Sequence, residues 1–237
     1  MSKTIIFDLD GTVALGHGPV MAYANAIARG CDSVPHDFVS RVEKLLDLLD
    51  TGTSQFRDGY HVVAEQAERW GVSQLAMQKA YLESRTHIGT ELAPLEAPEK
   101  FQEILEKLSP NAALILATNA PAVGIHDLFD RWGVSGYFAE ILVNVGKPAG
   151  LYPIISKFLR RGPVLSIGDI VENDLLPAME LGAETALVGA NAHTAAEPVT
   201  MRGATITDLL PELMNWVTND DGPSRMSDSP RDMRPEQ

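Results

Sequence analysis

The stretch Ile5-Ile6-Phe7-Asp8-Leu9-Asp10-Gly11-Thr12, close to the N-terminus, decides the fold prediction. Its apolar, β-branched run is typical of a buried strand, and Gly-Thr ends that strand. Because successive side chains on a strand point to opposite faces, Asp8 and Asp10 share one face if the strand simply continues. In open α/β sheets, ligands bind beyond the carboxyl ends of such strands. The simpler interpretation is a strand that runs into an Asp-Gly turn.

The two carboxylates suggest a metal site at this strand end. Two such groups repel each other unless a cation or a proton lies between them. We therefore expect a hard cation, Mg²⁺, which prefers oxygen ligands. In this hypothesis one Asp is a nucleophile and the other is a proton donor.

Composition limits the classes of function that the chain can have. The 237 residues are 45% hydrophobic and carry a net charge of −13. This charge argues against binding to nucleic acid or to an anionic membrane, because phosphate contacts need clustered Lys and Arg. A small phosphorylated substrate needs only a local cationic pocket. With Cys31 as the only cysteine and no signal-peptide or membrane-spanning pattern, the expectation is a cytoplasmic protein of undetermined oligomeric state.

Hydrophobic patterning divides the chain into three parts. Residues 15–92 show helical spacing without a strand pattern, which predicts a separate helical insert. Residues 1–14 and 93–217 alternate apolar runs with helices, which indicates an α/β, Rossmann-like core with a parallel sheet covered on both faces. Residues 218–237 contain almost nothing apolar and are expected to be disordered. Further strands are predicted at 112–117, 141–143, 164–167 and 185–188, and the last helix at about 206–217.

Polar residues follow four of the predicted strands. These residues are Asp8 with Asp10, Thr118 with Asn119, Lys147, and Asp169 followed by Asn173 and Asp174. Because the carboxyl ends of parallel strands lie along one edge of a sheet, the four groups can converge on one crevice. Taken singly, Thr118-Asn119 and Lys147-Pro148 are weak signals, since turn residues and solvated charges are common at strand ends. Gly168-Asp169 with Asn173-Asp174 is a more specific signal, although a Gly turn followed by acidic residues at a helix N-terminus gives the same pattern.

The residue types in these four groups suit phosphoryl transfer, which requires positioning and charge stabilisation. Asp8 can attack phosphorus and form an aspartyl-phosphate. Asp10 can protonate the leaving oxygen and then activate water. Thr118 and Lys147 can hold the phosphate oxygens. Asp169 adds an oxygen for Mg²⁺, and Asn173 or Asp174 can order Lys147 or a bound water.

In order and spacing, these motifs resemble the four motifs of the haloacid dehalogenase-like (HAD-like) hydrolases. The matching segments are Asp8-Leu9-Asp10-Gly11-Thr12, Thr118-Asn119, Lys147-Pro148, and Gly168-Asp169 with Asn173-Asp174. The resemblance covers residues 1–14 and 93–217. Residues 15–92 resemble the helical cap of the phosphoglycolate phosphatase-like and phosphomutase-like branch. Thr118, where many members have Ser, and Val13-Ala14-Leu15 depart from the family's pattern and leave the substrate type open.

The resemblance implies a role for each matching residue. It makes Asp8 the nucleophile and Asp10 the acid/base, and it places phosphate binding on Thr118, Asn119 and Lys147. It also implies Mg²⁺ ligands at Asp8, Asp10 (through the backbone carbonyl) and Asp169.

Substrate selection is expected to fall on the helical insert. The loop of residues 51–57 lies between two predicted helices, where caps of this kind reach the active site. Arg57, Thr53 and His17 are the candidates, although Arg57 can equally be a solvated side chain beside Asp58. Trp70, Trp132 and Trp216 lie in apolar helical patterns and are predicted core residues.

The leading hypothesis is a Mg²⁺-dependent phosphatase that hydrolyses a small phosphomonoester, and a phosphomutase on the same scaffold stays open. A haloacid dehalogenase is disfavoured, because cleavage of a C–halogen bond needs no proton for the leaving group and dehalogenases resemble this motif without the second Asp. A receiver-type phospho-acceptor module also combines acidic residues with Thr and Lys. The helical insert and the 168–174 segment argue against that module.

Overall fold

A computed structural model describes residues 2–51, 56–190 and 192–219 of the chain. These residues form a parallel sheet whose strands are β1 (Lys3–Phe7), β2 (Ala112–Ala117), β3 (Phe138–Leu142), β4 (Val164–Gly168), β5 (Glu184–Leu187) and β6 (Met201–Arg202). The strand order is β3-β2-β1-β4-β5-β6, and every neighbouring pair is parallel. The chain builds one half of the sheet outward from β1 and then crosses to β4, so the order reverses between β1 and β4. That reversal is where α/β sheets open a crevice for ligands.

Helices cover both faces of the sheet, as the apolar strand pattern requires. The helices of this region are α5 (Phe101–Leu108), α6 (Ile125–Arg131), α7 (Leu151–Leu159), α8 (Leu176–Glu180) and α9 (Leu210–Thr218). In β1, Ile5 and Phe7 pack into the core formed with α5, α6 and α9, whereas Ile6 packs into the core formed with α7 and α8. This alternation confirms the predicted α/β fold with both faces of the sheet buried.

Between β1 and α5 the chain forms the helical insert. Its helices are α1 (Gly18–Gly30), α2 (Phe38–Asp50), α3 (Gly59–Arg69) and α4 (Gln74–Arg85). They pack around a core of their own, in which Ala24, Ile27, Val42, Val62 and Val63 are fully buried. The insert is helical as predicted, while the exact bounds of the predicted domains stay a prediction.

The two segments that join the insert to the sheet run side by side. Leu15 and Glu96 exchange both backbone hydrogen bonds, at 2.8 and 3.0 Å. Gly18 lies so close to Pro94 that a Cβ atom there would be 2.1 Å from the Pro94 carbonyl oxygen. The two joining segments therefore meet in one narrow place, which has the geometry of a two-stranded hinge.

Several elements differ from the sequence prediction. The strand β3 begins at Phe138 instead of residue 141, because it is an edge strand in which Glu140 interrupts the apolar run and pairs with Lys157 at 2.8 Å. The last helix begins at Leu210 instead of residue 206, since Pro211 favours the first turn of a helix. The two-residue strand β6 has too little pattern to be predicted.

The predicted core tryptophans have different environments. Trp216 is buried and Trp132 packs against the core, but Trp70 is 41% exposed at the end of α3. The prediction for Trp70 is therefore wrong, because the residue lies just past the last buried turn of its helix. Within the described ranges, no helix is both long and apolar enough to cross a membrane. Of the predicted disordered segment, residues 220–237 lie outside the described ranges.

Candidate active site

Asp8 follows directly after the central strand β1. Its backbone N–H donates to the carbonyl oxygen of Ile167 at 2.9 Å, so the residue is still held in register with β4. Its side chain is 12% exposed. The apolar sequence of β1 therefore delivers this carboxylate to the point where the strand order reverses.

Lys147 joins two of the predicted site carboxylates. Its Nζ lies 2.5 Å from Oδ1 of Asp8 and 2.7 Å from Oδ1 of Asp174, and its side chain is 3% exposed. The Asn119 side chain fixes the backbone of this lysine, because its Oδ1 accepts from the Lys147 N–H at 2.7 Å. The Asn119 side chain therefore contacts Lys147 in this structure. The phosphate contact predicted for Asn119 stays a prediction.

The segment after β4 places two further acidic residues beside Asp8. A π-helical turn, Val171–Leu175, returns Asp174 toward the strand end. There Asp174 accepts hydrogen bonds from the Ile170 N–H through Oδ2 and from Ser166 Oγ through its backbone oxygen, at 3.1 and 2.7 Å. A Cβ atom on Gly168 would lie 2.2 Å from Cβ of Asp174, so glycine is required for this close return.

Carboxylate oxygens of Asp8, Asp169 and Asp174 lie within 4.8 Å of one another. Gly11 approaches this cluster from the other side with φ +87°, and a Cβ atom there would be 2.4 Å from Oδ2 of Asp169. Three anionic oxygens in one partly buried place form a donor set that fits Mg²⁺. Asp169 therefore lies where a ligand was predicted, and Asp174 is a candidate ligand that was predicted only as a supporting residue.

Mutual repulsion and burial disfavour the charges of this cluster. Burial raises the pKa of Asp8 to about 7, with Asp174 and Asp10 adding to the effect and Lys147 opposing it. Burial and the charges of Asp8 and Asp174 also raise the pKa of Asp169 well above its ordinary value. Burial alone would lower the pKa of Lys147, but Asp8 and Asp174 raise it above its usual range. A bound divalent cation offsets such repulsion between carboxylates.

The side chain of Asp10 contacts the helical insert. Its Oδ1 accepts from Nη1 of Arg85 at 2.9 Å, and the same Nη1 donates to the hydroxyl oxygen of Tyr60 at 2.8 Å. Both partners belong to the helical insert, to α4 and α3 respectively. The sequence analysis missed both residues. A signal was present, since Arg85 continues the buried stripe of α4 that contains Met77, Ala80 and Ser84.

Two adjoining cavities open onto Asp10. The Lys147 cavity has a volume of about 390 Å³. It is lined by Asp8, Asp10, Tyr23, Arg57, Asp58, Tyr60, His61, Ala64, Tyr81, Thr118, Asn119, Ala120, Lys147, Ile170, Asn173 and Asp174. The Gly11 cavity, of about 340 Å³, lies between Asp169 and the residues of the hinge and of α2. Sheet residues thus form the floor of the Lys147 cavity, and tyrosines of the helical insert form its opposite wall.

The structure brings most of the remaining predicted residues to these cavities. Thr118 is buried, with its Oγ1 accepting from the Ala120 N–H at 3.0 Å, and it lines the Lys147 cavity with Asn173. Arg57 lines both cavities but is 56% exposed and contacts Asp58 at 3.3 Å. His17 lines the Gly11 cavity and contacts Asp50 at 2.8 Å. Thr53 lies outside the described residues.

Comparisons with known proteins identify relatives of this fold through structure. No family model matches the chain, and no curated protein sequence matches it either. Among solved structures, the magnesium-bound form of YfnB from Bacillus subtilis superposes with a TM-score of 0.60 at 17% identity, covering 90% of this chain and 98% of that one. A HAD phosphatase from Thermococcus onnurineus gives 0.57 at 18% identity, covering 89% and 97%.

A similar match is a 2-haloacid dehalogenase from Pseudomonas syringae, with a TM-score of 0.53 and 18% identity over 91% of this chain and 99% of that one. These matches span the sheet and the helical insert together. At 17–18% identity, these matches show the fold of this chain and not its activity. The chain has the fold of the HAD-like hydrolases, as its motifs predicted.

Proposed function

We propose that this protein is a Mg²⁺-dependent phosphatase that hydrolyses a small phosphomonoester through an aspartyl-phosphate on Asp8. The observation that carries the proposal is the contact of Asp8 with Lys147 at the floor of the Lys147 cavity, with two more carboxylates alongside. A nucleophile, a cation for the phosphoryl oxygens and a donor set for a hard metal ion thus occupy one crevice.

The first half-reaction transfers the phosphoryl group to the protein. A carboxylate oxygen of Asp8 forms a bond to phosphorus while the bond between phosphorus and the ester oxygen breaks. Asp10 gives its proton to that ester oxygen, so the product leaves as an alcohol. Lys147 and the hydroxyl of Thr118 hold the phosphoryl oxygens as negative charge shifts onto them.

The second half-reaction restores the protein. Asp10, now ionised, takes a proton from a water molecule whose oxygen attacks phosphorus. The bond between phosphorus and Asp8 breaks, inorganic phosphate is formed, and Asp10 is again protonated. The same residue therefore serves as acid and then as base, which balances protons over the cycle.

Mg²⁺ would be held by Asp8 and Asp169, with Asp174 and the backbone carbonyl of Asp10 as further oxygen donors. When bound, it supplies positive charge that screens the nucleophile from the phosphoryl oxygens. Asp174 also fixes Lys147, at 2.7 Å. Asn173, which lines the cavity beside it, is proposed to order water there.

The size and lining of the cavity favour an enzyme over a receiver-type module. A volume of about 390 Å³, walled by Tyr23, Tyr60 and Tyr81 of the helical insert, has room for an organic group beyond the phosphate. A dehalogenase has no use for the proton that Asp10 supplies. A phosphomutase shares every step up to the aspartyl-phosphate, so the product distinguishes it from a phosphatase.

The proposal is tested by turnover of p-nitrophenyl phosphate and a panel of phosphorylated metabolites with Mg²⁺. The expected result is many turnovers per chain with release of inorganic phosphate, and none with Asp8→Asn. Formation of an isomeric phosphate ester would identify a mutase. A single labelling event without turnover would identify a phospho-acceptor and contradict the proposal.

A further inference from the structure

Arg85 is an unusual residue for the interior of a protein. Its side chain has no exposed surface, yet it carries a full charge whose contacts with Asp10 and Tyr60 both use one nitrogen, Nη1. The Nε and Nη2 atoms of Arg85 are buried and have no hydrogen-bond partner among the described residues. No other buried side-chain polar atom of those residues lacks a partner. The helical insert thus buries a cation against the predicted acid/base of the sheet, 75 positions away in the chain.

We propose that Arg85 is a positioning residue for Asp10, and that helix α4 of the insert thereby sets the direction in which Asp10 transfers its proton. The inference rests on the proposed function and extends it. Nη1 of Arg85 donates a hydrogen bond to Oδ1 of Asp10. The other oxygen, Oδ2, is then left to carry the proton that is exchanged with the leaving oxygen and later with water. The hydroxyl oxygen of Tyr60 accepts from the same Nη1 and helps to fix the guanidinium.

Stability alone does not account for such a residue. Burying a charge is expensive, and a buried ion pair can often be replaced by apolar side chains of similar volume without loss of stability. The position of Arg85 in the last turn of α4 offsets part of this cost, because the helix dipole favours a cation there. Two unpaired N–H-bearing nitrogens add to the cost. A role in orienting Asp10 explains why the charge points at this carboxylate.

Arg85 acts through Asp10 and not on the substrate. It is not part of the described lining of either cavity, whereas Asp10 and Tyr60 line both. Arg85 belongs to the helical insert and Asp10 to the loop after β1. Their ion pair therefore also connects the insert to the sheet across the hinge. Asp10 is therefore held in one orientation only while the end of α4 lies beside the loop after β1, as it does in this structure.

The test compares two substitutions of Arg85. Arg85→Met keeps an unbranched apolar side chain without the charge, and Arg85→Lys keeps the charge but loses the planar guanidinium with its several N–H donors. Tyr60→Phe removes only the supporting hydroxyl. Arg29→Met serves as the matched control, since it breaks an exposed ion pair to Glu83 of the same helix α4. For each variant, kcat and KM are measured with p-nitrophenyl phosphate and with an alkyl phosphate, together with the melting temperature.

Loss of orientation at a proton donor costs about 10²-fold in rate. Arg85→Met is expected to lose about that factor in kcat on the alkyl phosphate, with KM little changed. In kcat/KM, which reports the first half-reaction, the loss on p-nitrophenyl phosphate is expected to be smaller, since that leaving group needs little protonation. Arg85→Lys and Tyr60→Phe should fall between this variant and the parent, and Arg29→Met should match the parent.

A double variant separates positioning from packing. In an Asp10→Asn background, Arg85→Met is expected to cause no further loss, because residues that act as a unit are not additive. Equal losses of kcat/KM on both substrates, or an undiminished loss in the Asp10→Asn background, would overturn the inference while leaving the phosphatase proposal intact. Absence of phosphomonoester turnover by the unaltered protein would overturn the phosphatase proposal and this inference together.

Discussion

Burial and neighbouring carboxylates disfavour the negative charge of Asp8, whereas Lys147 stabilises it. Burial and two neighbouring carboxylates raise its pKa to about 7, while Lys147 contacts it at 2.5 Å. A divalent cation would offset the repulsion among these carboxylates, and their oxygen atoms are the ligands that Mg²⁺ prefers.

Replacing Asp8 by Asn is expected to abolish turnover without unfolding the protein. The change keeps the size of the side chain and removes both the attacking oxygen anion and one metal-binding charge. Turnover and the melting temperature are measured side by side. Asp37→Asn is the matched control, because Asp37 is an exposed carboxylate paired with Arg41 at 2.7 Å far from the cavities. Substantial activity in a clean preparation of Asp8→Asn would remove Asp8 from its role.

The raised pKa of Asp8 also predicts how stability depends on pH without metal. The native state keeps a proton on Asp8 up to about pH 7, whereas the unfolded chain loses it near pH 3.8. Between these values the native state binds more protons, so the free energy of unfolding falls as pH rises. In EDTA, the melting temperature should fall between pH 5 and 7.5 more steeply for the parent than for Asp8→Asn. Mg²⁺ should restore the parent most at the higher pH; equal slopes for both proteins would contradict this.

At the scale of elements, the ends of the four neighbouring strands β1, β2, β3 and β4 form the site. The strands β1, β2 and β4 are continuous apolar runs, so both they and the residues that follow them were predictable from the sequence. The strand β3 was predicted at residues 141–143, but its start at Phe138 was not predictable, because exposed positions interrupt the apolar pattern of this edge strand. The turn of Val171–Leu175 was not predictable either, because a π-helical turn has no local sequence pattern. The same limit applies to Arg85, whose role depends on a contact between distant parts of the chain.

Gly11 lets the loop after β1 pass beside Asp169. Replacement by Ala is expected to lower activity and raise the Mg²⁺ requirement, because the new Cβ would lie 2.4 Å from Oδ2 of Asp169. The left-handed backbone adds about 1–2 kcal/mol of strain. Gly71→Ala is the matched control, since Gly71 has φ +73° with no atom within 4 Å of its added Cβ. Both variants should lose stability, but only Gly11→Ala should need more Mg²⁺; an unchanged requirement would remove Gly11 from the metal site.

At the scale of the whole molecule, the ends of the sheet strands and the helical insert line the Lys147 cavity together. In the proposed function, the floor of the Lys147 cavity binds the phosphate, and the wall formed by the helical insert distinguishes one monoester from another. The paired hinge segments at Leu15 and Glu96 are where the insert can move to admit substrate. Arg57 lines both cavities and is an exposed cation on the insert side of the Lys147 cavity.

Arg57→Ala is therefore expected to change kcat/KM unequally across a panel of phosphorylated metabolites. p-Nitrophenyl phosphate, which has no polar group for Arg57 to contact in its organic part, should be affected least. Arg41→Ala is the control, because Arg41 is an exposed arginine of α2 that is paired with Asp37 and lines neither cavity. A uniform effect, or none, would mean that substrate selection resides on other residues of the insert.

The most direct test of the central claim is a rapid-quench experiment on Asp10→Asn with p-nitrophenyl phosphate. This leaving group departs without a proton, so the first half-reaction should remain fast while the second, which needs Asp10 as a base, becomes slow. The account predicts a burst of about one nitrophenolate per chain and phosphate covalently bound to the peptide that contains Asp8. Steady turnover without a burst, together with an unmodified Asp8 peptide, would contradict it.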